Sequence, residues 1–135
     1  KNKKRYYYKF NTFTYYSFNE FHDHFYKSGC SGVVKRVPCL DILYKYLTPL
    51  ALACWIMDDG SKHQNTLKIG TNCFIKEDLE RLSKVLKEKY TIKSSIHSAG
   101  IPNQYVLYIK RESINILRNI VKEHIVSSME YKIKI

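Results

Sequence analysis

Two adjacent carboxylates, Asp58 and Asp59, end an apolar segment and directly precede Gly60. If the segment is a helix, their negative charges lie at its C-terminus, where the helix dipole disfavours them. A cation close by would relieve this electrostatic conflict, which makes the pair a candidate metal-binding feature. From the residues alone, the alternative is a helix end whose carboxylates are simply solvated.

Other combinations of residues that could bind a metal are weaker. His22, Asp23 and His24 are adjacent, but neighbouring side chains on a helix point about 100° apart, and no third ligand follows at helical spacing. No two cysteines form a CxxC pair, and no Cys/His cluster has the spacing of a zinc site. We therefore expect no zinc and reduced, scattered thiols in an intracellular compartment, at Cys30, Cys39, Cys54 and Cys73.

The charge of the chain indicates a polyanionic partner. Lysine and arginine total 23 against 12 aspartate and glutamate residues, which gives a formal net charge of +11 in 135 residues. Contacts with phosphates release condensed counterions, so this imbalance favours nucleic acid. A membrane would require a basic amphipathic helix or a spanning segment, and the longest apolar stretch, residues 50–57, is too short. We expect nucleic acid and no membrane; a merely soluble basic protein is the plainer alternative.

The segment that precedes the carboxylates has the features of a buried helix. Thr48 supplies an N-cap hydroxyl and Pro49 occupies the first helical position, while Gly60 is placed to end the helix. The residues between them are apolar on nearly every side, and several are small. Small side chains allow a helix to pack closely against another helix.

The residues that follow predict an α+β unit. Periodicity indicates a strand at 66–72, an amphipathic helix at 75–90, a hairpin at 92–98 and 104–110, and a last helix at 113–125. We expect the helices to pack on one face of an antiparallel sheet. The other face is polar and basic, a surface that can enter a nucleic-acid groove. Its candidate contacts are Lys68, Lys93, Ser95, His97, Tyr108 and Lys110.

Residues 5–16 are aromatic and rich in threonine, which predicts a further strand. Lys9 and Asn11 are interleaved in it and are also candidate nucleic-acid contacts. Protection of an exposed sheet edge is the alternative role for these polar side chains.

A short helix is predicted after this strand. Ser17 is a candidate N-cap, with Glu20 at the capping-box position, and the helix extends to about Lys27. Glycine and serine in residues 28–32 end the helix. Residues 33–46 then form a connector with a short helical pattern.

Residues 52–60, LACWIMDDG, resemble the motif that names the LAGLIDADG homing endonucleases. Residues 47–51, LTPLA, resemble the approach to the second motif in monomeric members of that family. The terminal MEYK of residues 129–132 resembles a tail in the branch that includes the yeast mitochondrial intron endonuclease. The element order after the motif is similar to the family's αββαββα repeat. The resemblance assigns residues 47–135 to one repeat and residues 1–46, more loosely, to the end of a preceding repeat and a linker.

The resemblance implies a fold and a chemistry. Helices would cover one face of a saddle-like antiparallel sheet, and the motif helices of two repeats would cross, each delivering its last acidic residue to a shared divalent-metal site. That residue is Asp59, which would be a catalytic Mg²⁺ ligand, because such ions activate water and stabilise the oxygens of phosphodiester hydrolysis. Asp58 would be a supporting residue. Lys132 matches the active-site lysine of this repeat, and Lys35 matches that of the preceding repeat.

One departure from the family's pattern limits the expected activity. Residues 1–46 hold no first motif, so this chain supplies half of a metal site and is not expected to cleave alone. We expect it to pair with a complementary N-terminal half on another polypeptide, to belong to a longer chain, or to be a remnant that no longer cleaves. Homodimerisation through the motif helix is a fourth alternative, which the leftover end of a preceding repeat argues against.

Two functions are consistent with these observations. The first is half of a site-specific, Mg²⁺-dependent DNA endonuclease encoded by a mobile intron. The second is a remnant that binds RNA without cleaving, as an intron maturase or within a ribonucleoprotein assembly such as an organellar ribosome. Tyrosine, lysine, asparagine and isoleucine are frequent, and all have A/T-rich codons, which indicates the genome of a mitochondrion or another organelle.

Overall fold

The structure is a computed structural model that describes residues 9, 11–29 and 32–134. It has the predicted α+β architecture. Its helices are α1 (Phe18–Phe25), α2 (Leu40–Tyr46), α3 (Pro49–Asp59), α4 (Lys76–Tyr90) and α5 (Ile114–Val121). Its strands are β1 (Tyr26–Gly29), β2 (Gly32–Lys35), β3 (Gly60–His63), β4 (Thr66–Ile69), β5 (Ser94–Ser98) and β6 (Tyr105–Ile109). Short 3₁₀ segments lie at Arg111–Ser113 and Ser127–Lys132.

The main sheet is antiparallel, with strand order β3-β4-β6-β5. The register aligns Ser61 with Lys68, Lys68 with Tyr108, and Tyr108 with Ser95. Because successive side chains of a strand alternate between faces, these four residues share one face. The opposite face is buried in the core with side chains of α3, α4 and α5, and its central residues are Leu67, Ile69, Leu107 and Ile109.

Helix α3 begins and ends where the sequence predicts. The amide of Ala51 donates to Oγ1 of Thr48 at 3.2 Å, so Thr48 is the N-cap residue. The helix ends at Gly60, whose φ of −76° is extended and not left-handed. The reason for glycine is steric, because an added Cβ would lie 2.4 Å from the carbonyl oxygen of Ile56. The chain therefore turns from α3 directly into β3.

The lengths of α2 and α3 and the angle between them bear on whether either helix could cross a membrane. In the part of the chain that the structure describes, no single helix is long and apolar enough to cross a bilayer. Helices α2 and α3 reach that length and composition only together, and they meet at a bend of 96°.

A partly buried polar cluster links the connector to α4. Nε of Arg36 donates to Oδ2 of Asp78 at 2.8 Å, and the amide of Val37 donates to the same oxygen at 2.9 Å. Nη1 of Arg81 donates to the carbonyl of Val37 at 2.7 Å. Since Asp78 is fully buried, these contacts fix the path of the chain between β2 and α2.

The N-terminal region differs from the prediction. Residues 5–8 and 10 of the predicted strand lie outside the described residues, and residues 9 and 11–16 form no strand. Strand propensity reflects packing on a pleated sheet, and the aromatic side chains here lie against no neighbouring strand; Phe13 and Tyr16 are more than 80% exposed. The expectation that Lys9 and Asn11 lie in a strand is therefore wrong for the described part of the segment.

The residues after α1 also differ. The helix ends at Phe25 rather than near Lys27, and Ser17 makes no side-chain capping bond. Residues 26–35 form the β1–β2 hairpin in place of a simple break and connector. Gly32 has a φ of 113°, a conformation that favours glycine; Cys30 and Ser31 lie outside the described residues.

Candidate functional site

Asp59 is the last residue of α3, and its side chain is exposed. Its carbonyl accepts a hydrogen bond from the amide of Gly70 at 3.0 Å, which links the helix end to the end of β4. Within the described residues, no hydrogen bond or ion pair engages the carboxylate. The backbone of Asp59 is therefore held in place while its carboxylate oxygens stay available to a ligand.

Asp59 lies in the wall of a cavity of about 420 Å³. Most of the wall is apolar and comes from α1, α2, α3 and Phe74. Asp58 and Lys35 also line it, so the structure brings together two residues that the sequence proposed separately, Asp59 and Lys35. The ammonium of Lys35 lies 5.4 Å from the centre of the Phe74 ring, a cation–π contact that orients it. The lining of the cavity thus includes two aspartates and a lysine.

Lys132 occupies a different place. Its side chain is 9% exposed and does not line the cavity. Its ammonium donates to the carbonyls of Ile56 and Asp58, each at 3.4 Å, and to the carbonyl of Met57. These carbonyls lie in the last turn of α3. That of Ile56 also accepts from the amide of Gly60, whereas those of Met57 and Asp58 are among the last carbonyls of the helix, which lack partners within it. A cation there also complements the helix dipole, so Lys132 stabilises the turn that carries Asp59.

The residues at the end of α3 fit part of a magnesium site. Carboxylate oxygens are suitable hard ligands, and Asp59 presents them at the cavity. Among the residues that the structure describes, no three His, Cys, Asp or Glu side chains converge. Asp59 could therefore hold Mg²⁺ only with ligands from outside this repeat or from substrate oxygens and water. His22, Asp23 and His24 likewise form no such group.

The polar sheet face carries most of the predicted nucleic-acid contacts. A shallow cleft of about 590 Å³ on this face is lined by Ser95, His97, Tyr108 and Lys110. Lys68 lies beside them, because it pairs with Tyr108 across β4 and β6. Arg111 at the cleft edge adds a second positive charge to that of Lys110. Basic and hydrogen-bonding side chains are thus combined on one surface.

His63 belongs to this surface and is absent from the sequence-based set. Its ring contacts the Tyr108 ring edge to face, with centroids 5.3 Å apart. Strand β3 lies directly after Gly60, and its four residues are mostly polar, so they did not predict a strand. The two-residue turn Gln64-Asn65 before β4 is the signal that could have revealed the hairpin.

Three predicted contacts are less favourably placed. Lys93 precedes β5, and its ammonium lies 2.9 Å from the Glu112 carboxylate. The hydrogen bond from Lys93 lowers the pKa of Glu112, so the pair stays ionised and Lys93 is partly neutralised. Lys9 and Asn11 are exposed and lie outside the sheet.

The chain belongs to the LAGLIDADG DNA endonuclease family, since residues 1–117 match the profile of that family. It is 47% identical over 136 aligned residues to the cytochrome b mRNA maturase bI2 of Saccharomyces cerevisiae, covering 98% of this chain and 32% of the maturase. It is 34% identical to the intron-encoded endonuclease ai4 of Dictyostelium discoideum, covering 95% of this chain and 77% of that protein. The chain spans about a third of the yeast maturase. Endonucleases of the family generally use divalent metal ions.

A solved structure agrees with the family assignment. The homing endonuclease I-WcaI bound to its DNA recognition sequence superposes with a TM-score of 0.79 at 28% identity, over 90% of this chain and 54% of that chain. The predicted α+β LAGLIDADG fold is confirmed. The chain corresponds to about half of that DNA-bound enzyme.

Proposed function

We propose that this chain is the nucleic-acid-binding half of a LAGLIDADG homing endonuclease, which binds DNA with its polar sheet face and contributes Asp59 to a divalent-metal site. The observation that carries the proposal is the position of Asp59. It ends the motif helix α3 with an unengaged carboxylate, at a cavity that also holds Lys35. Within the described residues, no three His, Cys, Asp or Glu side chains are grouped to hold a metal ion, so a complete site would need ligands from a second half.

The exposed side of α3 supports completion by a second repeat. Leu50 is 53% exposed, and Cys54 and Asp58, at helical spacing from it, are exposed as well. The small side chains of Ala51 and Cys54 allow another helix to approach closely. A complementary N-terminal half that places its own motif helix here would cover the apolar surface and add a second acidic ligand.

Each residue of the site has a proposed role. Asp59 would hold Mg²⁺, which when bound supplies activation of water and stabilisation of charge on the scissile phosphate. Lys35, which lines the same cavity, would bind a phosphate oxygen or polarise the attacking water. Lys132 would act by holding the C-terminal turn of α3, since its ammonium is occupied by main-chain carbonyls.

The similarity to a maturase supports a second candidate function. A chain that is 47% identical to a cytochrome b mRNA maturase would use the same basic surface to bind intron RNA in a ribonucleoprotein assembly, without cleavage. RNA recognition relies on exposed aromatic side chains for stacking and on backbone contacts. In either case we propose a mitochondrial location, on the basis of the A/T-biased composition and of this relative.

The test is to isolate the chain with its native partners and to identify them. Copurifying polypeptides are identified by mass spectrometry and copurifying nucleic acid by sequencing. The complex is then incubated with Mg²⁺ and intronless DNA, as wild type, as Asp59→Asn, and as Asp41→Asn, a matched change at an exposed position on α2. Double-strand cleavage by wild type and by Asp41→Asn, abolished by Asp59→Asn, is the expected result. A complex that contains intron or ribosomal RNA and cuts no DNA in any form would contradict the endonuclease and support the second function.

A further inference from the structure

Lys35 presents an unengaged ammonium at the cavity that Asp59 also lines. Within the described residues, no hydrogen bond or ion pair engages this ammonium. The contact that orients it is the face of the Phe74 ring, whose centre lies 5.4 Å from Nζ. A lysine side chain is a flexible four-carbon stem, so one ring contact does not fix where the ammonium lies. Its position therefore depends on how firmly the neighbouring structure is held.

The ring side of this contact is anchored in the core. Phe74 is itself buried, and its amide donates to the carbonyl of Thr71 at 3.0 Å. Thr71 is fully buried, and its hydroxyl donates to the carbonyl of Tyr105 on β6 at 3.0 Å. The ring thus has a fixed place beside the main sheet, and the backbone that carries Lys35 is the other part that must be held.

That backbone is held through Arg36, the residue after Lys35. Nε and Nη2 of Arg36 donate to Oδ2 and Oδ1 of Asp78 at 2.8 and 3.0 Å, so the ion pair is bidentate. The amide of Arg36 donates to the carbonyl of Phe25 at 2.7 Å. The next amide, that of Val37, donates to Oδ2 of Asp78 at 2.9 Å. The main chain directly after Lys35 is therefore tied both to the end of α1 and to α4.

The chemistry of the Arg36–Asp78 pair favours orientation over net stability. The Asp78 side chain is 0% exposed and that of Arg36 is 35% exposed. Taking such a pair out of water costs free energy, and a well-packed apolar pair of similar volume is often as stable. Two parallel N–H···O bonds from a planar guanidinium, by contrast, fix a direction as well as a distance. The pair thus supplies a defined geometry that an apolar contact would not.

We propose that Arg36 and Asp78 are positioning residues for Lys35: their bidentate ion pair holds the end of β2 so that the Lys35 ammonium stays over Phe74, at the cavity lined by Asp59. Neither Arg36 nor Asp78 is among the described residues that line this cavity, so both act on the reaction only through Lys35. The inference rests on the proposed function, in which Lys35 would bind a phosphate oxygen or polarise the attacking water.

The experiment is a double-mutant cycle in the purified complex. Arg36→Lys keeps the positive charge and loses the guanidinium fork. Single-turnover cleavage rates at saturating DNA and Mg²⁺ are measured for wild type, Arg36→Lys, Lys35→Met and the double variant. We expect Arg36→Lys to slow cleavage about 10- to 100-fold, the effect of a misplaced reacting group, and to leave the affinity for DNA without Mg²⁺ near that of wild type. Lys35→Met should slow cleavage at least as far.

The double variant separates positioning from a purely structural role. If Arg36 acts through Lys35, the change Arg36→Lys should slow cleavage no further once Lys35 is methionine, because residues that act as a unit give non-additive losses. A general loss of structure would instead multiply the two effects. Thermal unfolding checks that each variant is folded at the assay temperature. If Arg36→Lys is not, Arg36→Gln takes its place in the cycle.

Tyr44→Phe is the matched control. It removes the hydrogen bond from Tyr44 to Glu88, another link between the connector and α4. Tyr44 is not among the described residues that line the cavity. Cleavage by Tyr44→Phe should therefore proceed at the rate of wild type, and a loss equal to that of Arg36→Lys would show that any loosening of the connector has the same effect.

The outcomes distinguish this inference from the proposed function. If wild type cleaves DNA but Arg36→Lys cleaves equally fast, or if the two losses multiply in the double variant, the positioning role is overturned and the endonuclease function stands. If the wild-type complex cleaves no DNA, the proposed function itself fails, and the inference fails with it.

Discussion

Nε of Arg36 lies 2.8 Å from Oδ2 of Asp78, although 42 residues separate them in the chain. Arg36 immediately follows β2, whose last residue, Lys35, lines the same cavity as Asp59. Asp78 lies on α4, which packs in the core of the motif-bearing repeat. The ion pair therefore joins the residues attributed to the preceding repeat to the repeat that carries Asp59. It also holds the end of β2, which carries Lys35, against α4.

Asp78→Asn is expected to destabilise the chain by about 1–3 kcal/mol, because the buried carboxylate loses the charge that strengthens its hydrogen bonds from Arg36 and Val37. The free energy of unfolding, measured by urea titration at pH 7, checks this. Asp41→Asn, an exposed aspartate in the first turn of α2, is the matched control and should change stability little. A loss for Asp78→Asn no larger than that of the control would contradict the role assigned to the pair.

The same carboxylate predicts a dependence of stability on pH. Burial alone raises the pKa of Asp78, but the hydrogen bonds from Arg36 and Val37 and the charges of Arg36 and Arg81 outweigh it, so the pKa lies below the ordinary value. The stabilisation is therefore fully present above the unfolded-state pKa of about 3.9 and is lost as pH falls through the lower, folded-state pKa. Urea titrations from pH 7 down to pH 2 should show a steeper loss below pH of about 4 for wild type than for Asp78→Asn. If the free energies of unfolding of the two proteins fell in parallel with pH, the predicted contribution of the Asp78 carboxylate would be contradicted.

Gly60→Ala should disrupt the end of α3. The new methyl group would lie 2.4 Å from the Ile56 carbonyl oxygen, and relief of that overlap requires movement of the helix end, at a cost of about 1–3 kcal/mol. Gly70→Ala is the control, since its methyl group would make ordinary contacts, 3.6 Å from the Asp59 carbonyl. Thermal unfolding of both variants gives the comparison. Equal melting temperatures would show that the helix end adapts without cost.

Lys132→Met should lower stability more than Lys134→Met does. The first change removes the ammonium that donates to the carbonyls of Ile56, Met57 and Asp58. Ile56 keeps the Gly60 amide as a donor, so the other two carbonyls lose their partner, which costs about 1–3 kcal/mol for groups left unsatisfied. Lys134 is exposed, and its ion pair with Glu130 contributes little in solvent. Amide hydrogen exchange should show faster opening of residues 56–60 in Lys132→Met alone. Unchanged exchange there would argue that Lys132 serves a different purpose.

Thr48→Ala should weaken the start of α3 by about 1 kcal/mol, the usual effect of losing an N-cap side chain. Thr48→Ser keeps the hydroxyl that accepts from the Ala51 amide and should behave nearly as wild type. Chemical denaturation of the three proteins side by side measures the difference. Equal losses in both variants would mean that the methyl group of Thr48, and not its hydroxyl, carries the effect.

Local patterns in the sequence were sufficient to predict the helices and strands that are defined by their own residues. The N-cap at Thr48, the glycine at Gly60 and the periodicity of α4 all predicted their elements to within a residue or two. The alternation of apolar and polar residues around Lys68 and Ser95 predicted correctly which side chains share a face of the sheet. The motif resemblance added the family and the position of Asp59 on α3.

Long-range features were missed because no local pattern encodes them. The buried position of Asp78 depends on Arg36 and Val37 from a distant segment, so the residues around Asp78 on α4 could not predict it. The aromatic residues before α1 have strand propensity, but a strand also needs a partner, and the described part of that segment has none. His63 lies on the polar sheet face only because β3 pairs with β4 and its ring contacts that of Tyr108.

The strand order also constrains how the chain folds. Strands β3 and β4 are joined by a two-residue turn, and β5 and β6 by a short loop, so each hairpin can form locally, on a time scale of about 1–10 μs. Pairing of β4 with β6 is different, because α4 and β5 lie between them in the chain. Closing the long chain segment between β4 and β6 costs conformational entropy. The contacts between the two strands offset this cost only after the segment has closed. We therefore expect the two hairpins to form early and their joining, with α4 packed beneath them, to set the folding rate.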